Sequence, residues 1–115
     1  MPSLNMEGPY PLTTEDIDAN VLKEVIGNYA LGKIAQGQFV VMYVGRSDSD
    51  LCGRIKDYIG GPYAHFMFSY STNAVFAYQK ECENYHDFFD LGLDNDIHPH
   101  KPAGHSNWKC PRCNN

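Results

Sequence analysis

The stretch GNYALGKIAQGQFVVMYVGRS, Gly27 to Ser47, decides how this chain is read. Two apolar runs that each carry a tyrosine, NYALG and FVVMYVG, flank the connection GKIAQGQ, whose glycines permit a turn. The pattern predicts a β-hairpin. FVVMYV is apolar and rich in β-branched residues, as expected of a central strand covered on both faces. Tyr29 stands on the first strand and Tyr43 on the second, and Arg46 and Arg54 follow. Tyrosine favours strands on packing grounds alone. The sharper alternative is that both phenols face one phosphate.

Upstream, TTEDIDANVLKEVIG predicts a first helix. Thr13 or Thr14 can cap it, and Ile17, Val21 and Val25 recur every four residues as an apolar stripe. Gly27 stops it. Downstream, SDSDLCGRIKDYIGG predicts a second helix with Leu51, Ile55 and Ile59 on one face. AHFMFSYS alternates Phe66, Phe68 and Tyr70 and predicts a third strand, after which Asn73 can cap the helix AVFAYQKECENYHDFF. The expected organisation is a single α+β domain: an irregular arm over 1–12, a core over 13–90 and an aperiodic tail over 91–115. The core is a three-stranded, mainly antiparallel sheet flanked by helices.

Length and composition narrow the function. A chain of 115 residues that is 43% hydrophobic supports one modest core. The net charge of −5 argues against indiscriminate binding to nucleic acid, where affinity comes from Lys and Arg set against phosphates. It does not exclude an enzyme that engages one phosphate locally. No apolar run approaches the roughly 20 residues that span a bilayer, and MPSLNMEGPYPL lacks the basic and apolar regions of a signal peptide. The expectation is a cytoplasmic protein with no membrane partner, in which the four cysteines are not structural disulfides.

Beyond the hairpin, the residues fall in an ordered set: Gly27-Asn28-Tyr29, Tyr43-Val44-Gly45, then Arg54, Glu81 and Asn95. The set resembles the GIY-YIG nuclease superfamily over roughly 27–95. Asn28 stands where that family usually has an apolar residue. The gap from Tyr43 to Arg54 is slightly longer than the family's, which leaves Arg46 as a substitute for Arg54 or its partner in binding substrate. The resemblance implies a small GIY-YIG-like domain. It also implies a divalent-metal-dependent endonuclease that hydrolyses phosphodiester bonds in DNA, in repair or defence. In that scheme Glu81 holds Mg²⁺ or Mn²⁺, Arg54 holds a phosphate oxygen, and Tyr29 and Tyr43 orient water and phosphate. One phenol would accept a proton if a nearby metal or arginine lowered its pKa, and Asn95 would steady the site.

Glu83 lies two residues on, about 200° around a helix, and is the alternative metal ligand. Each residue also has an ordinary reading: half-buried strand tyrosines, a solvated Arg54, a turn Asn95. The alternative function is a catalytically inactive GIY-YIG-like module, stabilised by zinc, that binds nucleic acid or protein. A third reading is a zinc-stabilised interaction protein whose tyrosines are structural.

The tail carries its own signal. Cys82 and His86 are four apart on one helix face, and CPRC supplies Cys110 and Cys113. Three thiolates and an imidazole make a closed tetrahedral zinc set, which predicts a structural zinc pinning the tail to the helix. His98, His100 and His105 are competing ligands. Cys52 reads as a small core residue and Trp108 as an anchor of the tail.

Overall fold

A computed structural model describes residues 4–95, 98–101, 104 and 108–113. The elements are β1 (Glu7–Pro11), α1 (Thr14–Asn20), β2 (Gly27–Ala35), β3 (Gln38–Ser47), α2 (Leu51–Lys56), β4 (His65–Tyr70) and α3 (Ala74–Phe88), followed by a 3₁₀ turn at Phe89–Leu91. The sheet has four antiparallel strands in the order β1-β4-β2-β3, so this is an α+β domain with one more strand than expected. No helix among the described residues is long and apolar enough to cross a membrane.

The extra strand comes from the supposed arm. Residues Glu7–Pro11 pair with β4, Tyr10 opposite Phe66, and the Tyr10 ring rests 5.7 Å from Phe66 and 6.2 Å from Phe68. This pairing covers the outer edge of β4, whose backbone groups would otherwise stand unpaired.

α1 is shorter than its apolar stripe predicts. Thr13 caps it, accepting from Asp16 N, but the helix ends at Asn20. Residues 21–26 include three β-branched residues, which are weak helix formers, and their backbone is claimed elsewhere. Asp50 Oδ1 accepts from Glu24 N at 2.8 Å, and Val25 O accepts from Leu51 N at 2.9 Å. Ile17 and Val21 still reach the core.

The hairpin is longer and tighter than expected. Gln36 and Gly37 both have positive φ, 52° and 77°, the two-residue turn whose twist suits strand pairs. GKIAQGQ is therefore mostly strand. A bulge falls between Leu31 and Gly32, where a Cβ on Gly32 would lie 1.9 Å from the Val40 carbonyl oxygen. β3 is an edge strand, not the central one; β4 and β2 are central. Its apolar residues are partly covered by α3 and by the segment after the 3₁₀ turn.

The sheet separates two cores. On one face Ile17, Leu31, Leu51, Ile55, Phe66 and Phe68 are fully buried with Tyr29 under α1 and α2. Each such side chain contributes roughly 1.5–3 kcal/mol by leaving water. On the other face Ala30 and Val44 pack against Phe88 of α3. Asn73 caps α3 by accepting from Phe76 N at 2.9 Å.

Candidate functional site

Tyr29 and Tyr43 are on the same sheet face. Leu31 is opposite Tyr43, and Tyr29 lies two residues from Leu31, so alternation along β2 and β3 aligns the two phenols. Their rings are nearly parallel, 18° apart, with centroids 6.4 Å apart. Gly45 makes this possible. It sits opposite Tyr29, and a Cβ there would lie 2.4 Å from both Cζ and Oη of the Tyr29 ring. The glycine of one half-motif is thus the seat for the tyrosine of the other.

Two tyrosines from the α2–β4 connection extend the group. Tyr29 Oη donates to Tyr58 Oη at 3.1 Å, and Tyr58 and Tyr63 pack against Tyr43 at 5.5 and 6.2 Å. Burial, then the Tyr58 hydrogen bond, raises the pKa of both Tyr29 and Tyr43 above that of a free phenol. These phenols remain protonated near neutrality, so each keeps an O–H that can donate a hydrogen bond.

Arg46 and Glu81 approach from the other face. Arg46 Nη1 donates to Glu81 Oε1 at 2.5 Å, Nε to Asp48 Oδ1 at 2.9 Å and Nη2 to the His100 carbonyl at 2.6 Å. The guanidinium carbon lies 5.1 Å from the centroid of the Tyr78 ring. Both partners are largely buried, with side chains 11% and 12% exposed. Burial pushes the Glu81 carboxyl above its ordinary value, and the Arg46 charge opposes this. Asn28 fixes the helix one turn before Glu81: its Nδ2 donates to the Ala77 carbonyl at 2.9 Å and its Oδ1 accepts from Ser71 Oγ at 3.2 Å. The departure at Asn28 is therefore a buried tie between β2 and α3.

Tyr29, Tyr43, Arg46, Asp48, Arg54 and Glu81 together line a cleft of about 280 Å³, with His100 at its wall. Arg54 is exposed and makes no ion pair among the described residues. Glu83 faces away, into a different depression with Asn84 and Asp87, which leaves Glu81 as the glutamate of the cleft. Asn95 is not part of the cleft lining. Its side chain pairs with both backbone groups of Val44, accepting from N at 3.0 Å and donating to O at 2.8 Å, and so substitutes for a neighbouring strand along β3.

The tail gathers a different set from the expected one. His86, His98, Cys110 and Cys113 have donor atoms all within 4.8 Å of one another, a group that can hold a metal ion. His98, one of the competing ligands, joins the set and Cys82 does not. Cys82 is fully buried with Tyr78 and Cys110, and burial raises its thiol to about 12. Burial would also raise Cys110, but the Arg112 amide and the nearby His98 and Cys113 bring it down to about 6. His100 offers its carbonyl to Arg46, and His105 lies outside the described residues. Cys52 is a core residue beside Leu51 and Ile55, and Trp108 packs on Tyr78 at 5.9 Å.

Sequence reasoning missed Tyr58, Tyr63 and Asp48 as residues of this region. Their only signal was proximity in sequence to the arginines, in RSDSD and KDYIGGPY. No protein-family model matches the chain, and no curated protein or solved structure matches it at a significant level.

Proposed function

We propose that the chain is a GIY-YIG-type, divalent-metal-dependent endonuclease that hydrolyses phosphodiester bonds in DNA. The observation that carries this reading is the convergence of Tyr29, Tyr43, Arg54 and Glu81, from two strands and two helices, on one cleft. Arg54, exposed and free of ion pairs among the described residues, binds a phosphate oxygen through its planar donors. The protonated Tyr43 phenol donates a hydrogen bond that orients the phosphate, and Tyr29, whose O–H is given to Tyr58, offers its oxygen to the attacking water.

Glu81 and Asp48 give the cleft two carboxylates, a donor set that suits Mg²⁺ or Mn²⁺, which usually takes one or two and keeps several waters. The Arg46 contact uses one Glu81 oxygen and leaves the other for a cation. Such an ion, when bound, supplies positive charge to the attacking water and the leaving oxygen. Zinc is the metal proposed for the tail, because paired thiolates and imidazoles suit it.

One observation favours the second reading, a catalytically inactive module that binds nucleic acid or protein: the largely buried ion pair with Arg46 already balances the charge of Glu81. Nicking of supercoiled plasmid with Mg²⁺ or Mn²⁺ separates the two. Metal-dependent nicking that Arg54→Ala removes supports the enzyme. Wild type that matches Arg54→Ala across metals and salt leaves the binding module.

A further inference from the structure

We infer that a zinc ion held by His86, His98, Cys110 and Cys113 positions Arg46 on Glu81 through the His100 carbonyl. The inference rests on zinc being the metal of the tail, as proposed above, and adds what that metal does.

The donor set is prepared for a metal in three respects. His86 Nε2 is buried and has no hydrogen-bond partner among the described residues, an arrangement that costs stability unless something occupies that lone pair. His98 Nδ1 lies 3.1 Å from the Pro99 carbonyl, which fixes the proton there and leaves Nε2 free as a ligand. That nitrogen already lies 3.4 Å from Cys113 Sγ. The Arg112 amide points at Cys110 Sγ at 3.4 Å, a contact that stabilises a thiolate. Bond lengths to zinc imply ligand separations of about 3.3–3.8 Å in a tetrahedron, so donors within 4.8 Å need only a small contraction.

The link to the cleft is two residues long. From His98 the chain passes through Pro99, which is buried and has a fixed φ, to His100. The His100 carbonyl then takes the Nη2 donor of Arg46 at 2.6 Å. Arg46 has its other contacts with Asp48, Glu81 and the Tyr78 face. Removing the metal frees His98, and the carbonyl two residues away loses its anchor. A largely buried guanidinium then has an unmatched donor, and its hold on Glu81 loosens. Arg46 is a positioning residue in this scheme, and the zinc acts through it.

The chain has three arginines, Arg46, Arg54 and Arg112, so their side-chain Nε–H signals are separable by NMR on ¹⁵N-arginine-labelled protein. Elemental analysis of protein purified without added metal should find one zinc in wild type and in Cys82→Ala, and a loss in His98→Asn and Cys113→Ser. Cobalt substitution gives a second readout of the ligand set in whichever variants stay folded. Retention in His98→Asn with loss in folded Cys82→Ala would overturn the set. Zinc well below one equivalent in wild type would overturn the tail metal itself. On chelation the Arg46 Nε–H signal should shift and lose protection from exchange, returning when zinc is restored, while Arg54 stays unchanged. An Arg46 signal indifferent to zinc that has demonstrably left would overturn the coupling alone.

Discussion

Arg46 on β3 and Glu81 on α3 meet through a 2.5 Å contact in which neither side chain is more than 12% exposed. That relationship changes what a substitution at Glu81 means. The residue is a packing partner of a charge as well as the carboxylate of a cleft.

Glu81→Ala should therefore abolish metal-dependent nicking and also destabilise the fold. Removing one member of a buried pair leaves the other charge uncompensated, a loss of about 3–5 kcal/mol, near the lower end here because the cleft admits water. Glu81→Gln keeps an acceptor for Arg46 and should lose activity with a smaller loss of stability. Urea unfolding of the two variants, set beside their nicking rates, separates the effects. A Glu81→Ala protein as stable as wild type would contradict the pairing.

Gly45→Ala should disturb the tyrosine group without touching a charged residue. The new methyl would sit 2.4 Å from the Tyr29 ring, and inserting volume into a packed site costs roughly 1–3 kcal/mol. Near-ultraviolet circular dichroism should change as the Tyr29–Tyr58 contact breaks. An unchanged spectrum and midpoint would mean that the ring does not lie over Gly45.

Asn95→Ala should act on β3 and not on chemistry. It removes two hydrogen bonds to Val44, each worth roughly 0.5–1.5 kcal/mol. Hydrogen exchange at the Val44 amide should accelerate. Loss of activity with no change in that exchange would place Asn95 in the cleft after all.

Alkaline pH should unfold the protein through its tyrosines. Tyr29, Tyr43, Tyr63 and Tyr78 all have folded pKa values raised by burial above the ordinary value of 10. The native state therefore holds more protons than the unfolded chain above that pH, and stability falls as pH rises through it. Phenolate absorbance should show a group of tyrosines that ionise only as the fold is lost. A titration in which all eight tyrosines ionise reversibly near pH 10 in folded protein would contradict this.

Local signals carried much of the fold, because they act over a few residues. Thr13 and Asn73 cap their helices, since an N-cap needs only a side-chain oxygen and an amide two or three residues on. Phe66 and Phe68 alternate inward on β4, since strand periodicity is intrinsic to the backbone. The order of tyrosines, arginine and glutamate also picked out residues that share a cleft. What the sequence could not decide was which groups meet across space. α1 stops at Asn20 because Asp50 and Leu51, far along the chain, claim the backbone that would have continued it. Glu7–Pro11 becomes a strand because β4 offers it an edge. Cys82 and His86 share a helix face by spacing, yet the docking of the tail on α3 buries Cys82 in a cluster with Cys110 and leaves His86 beside His98. Arg46 finds Glu81 because the sheet and α3 pack at one particular rotation, held by Asn28. Periodicity and capping are properties of a segment and can be read from it; pairing depends on how segments pack, which the whole chain settles at once.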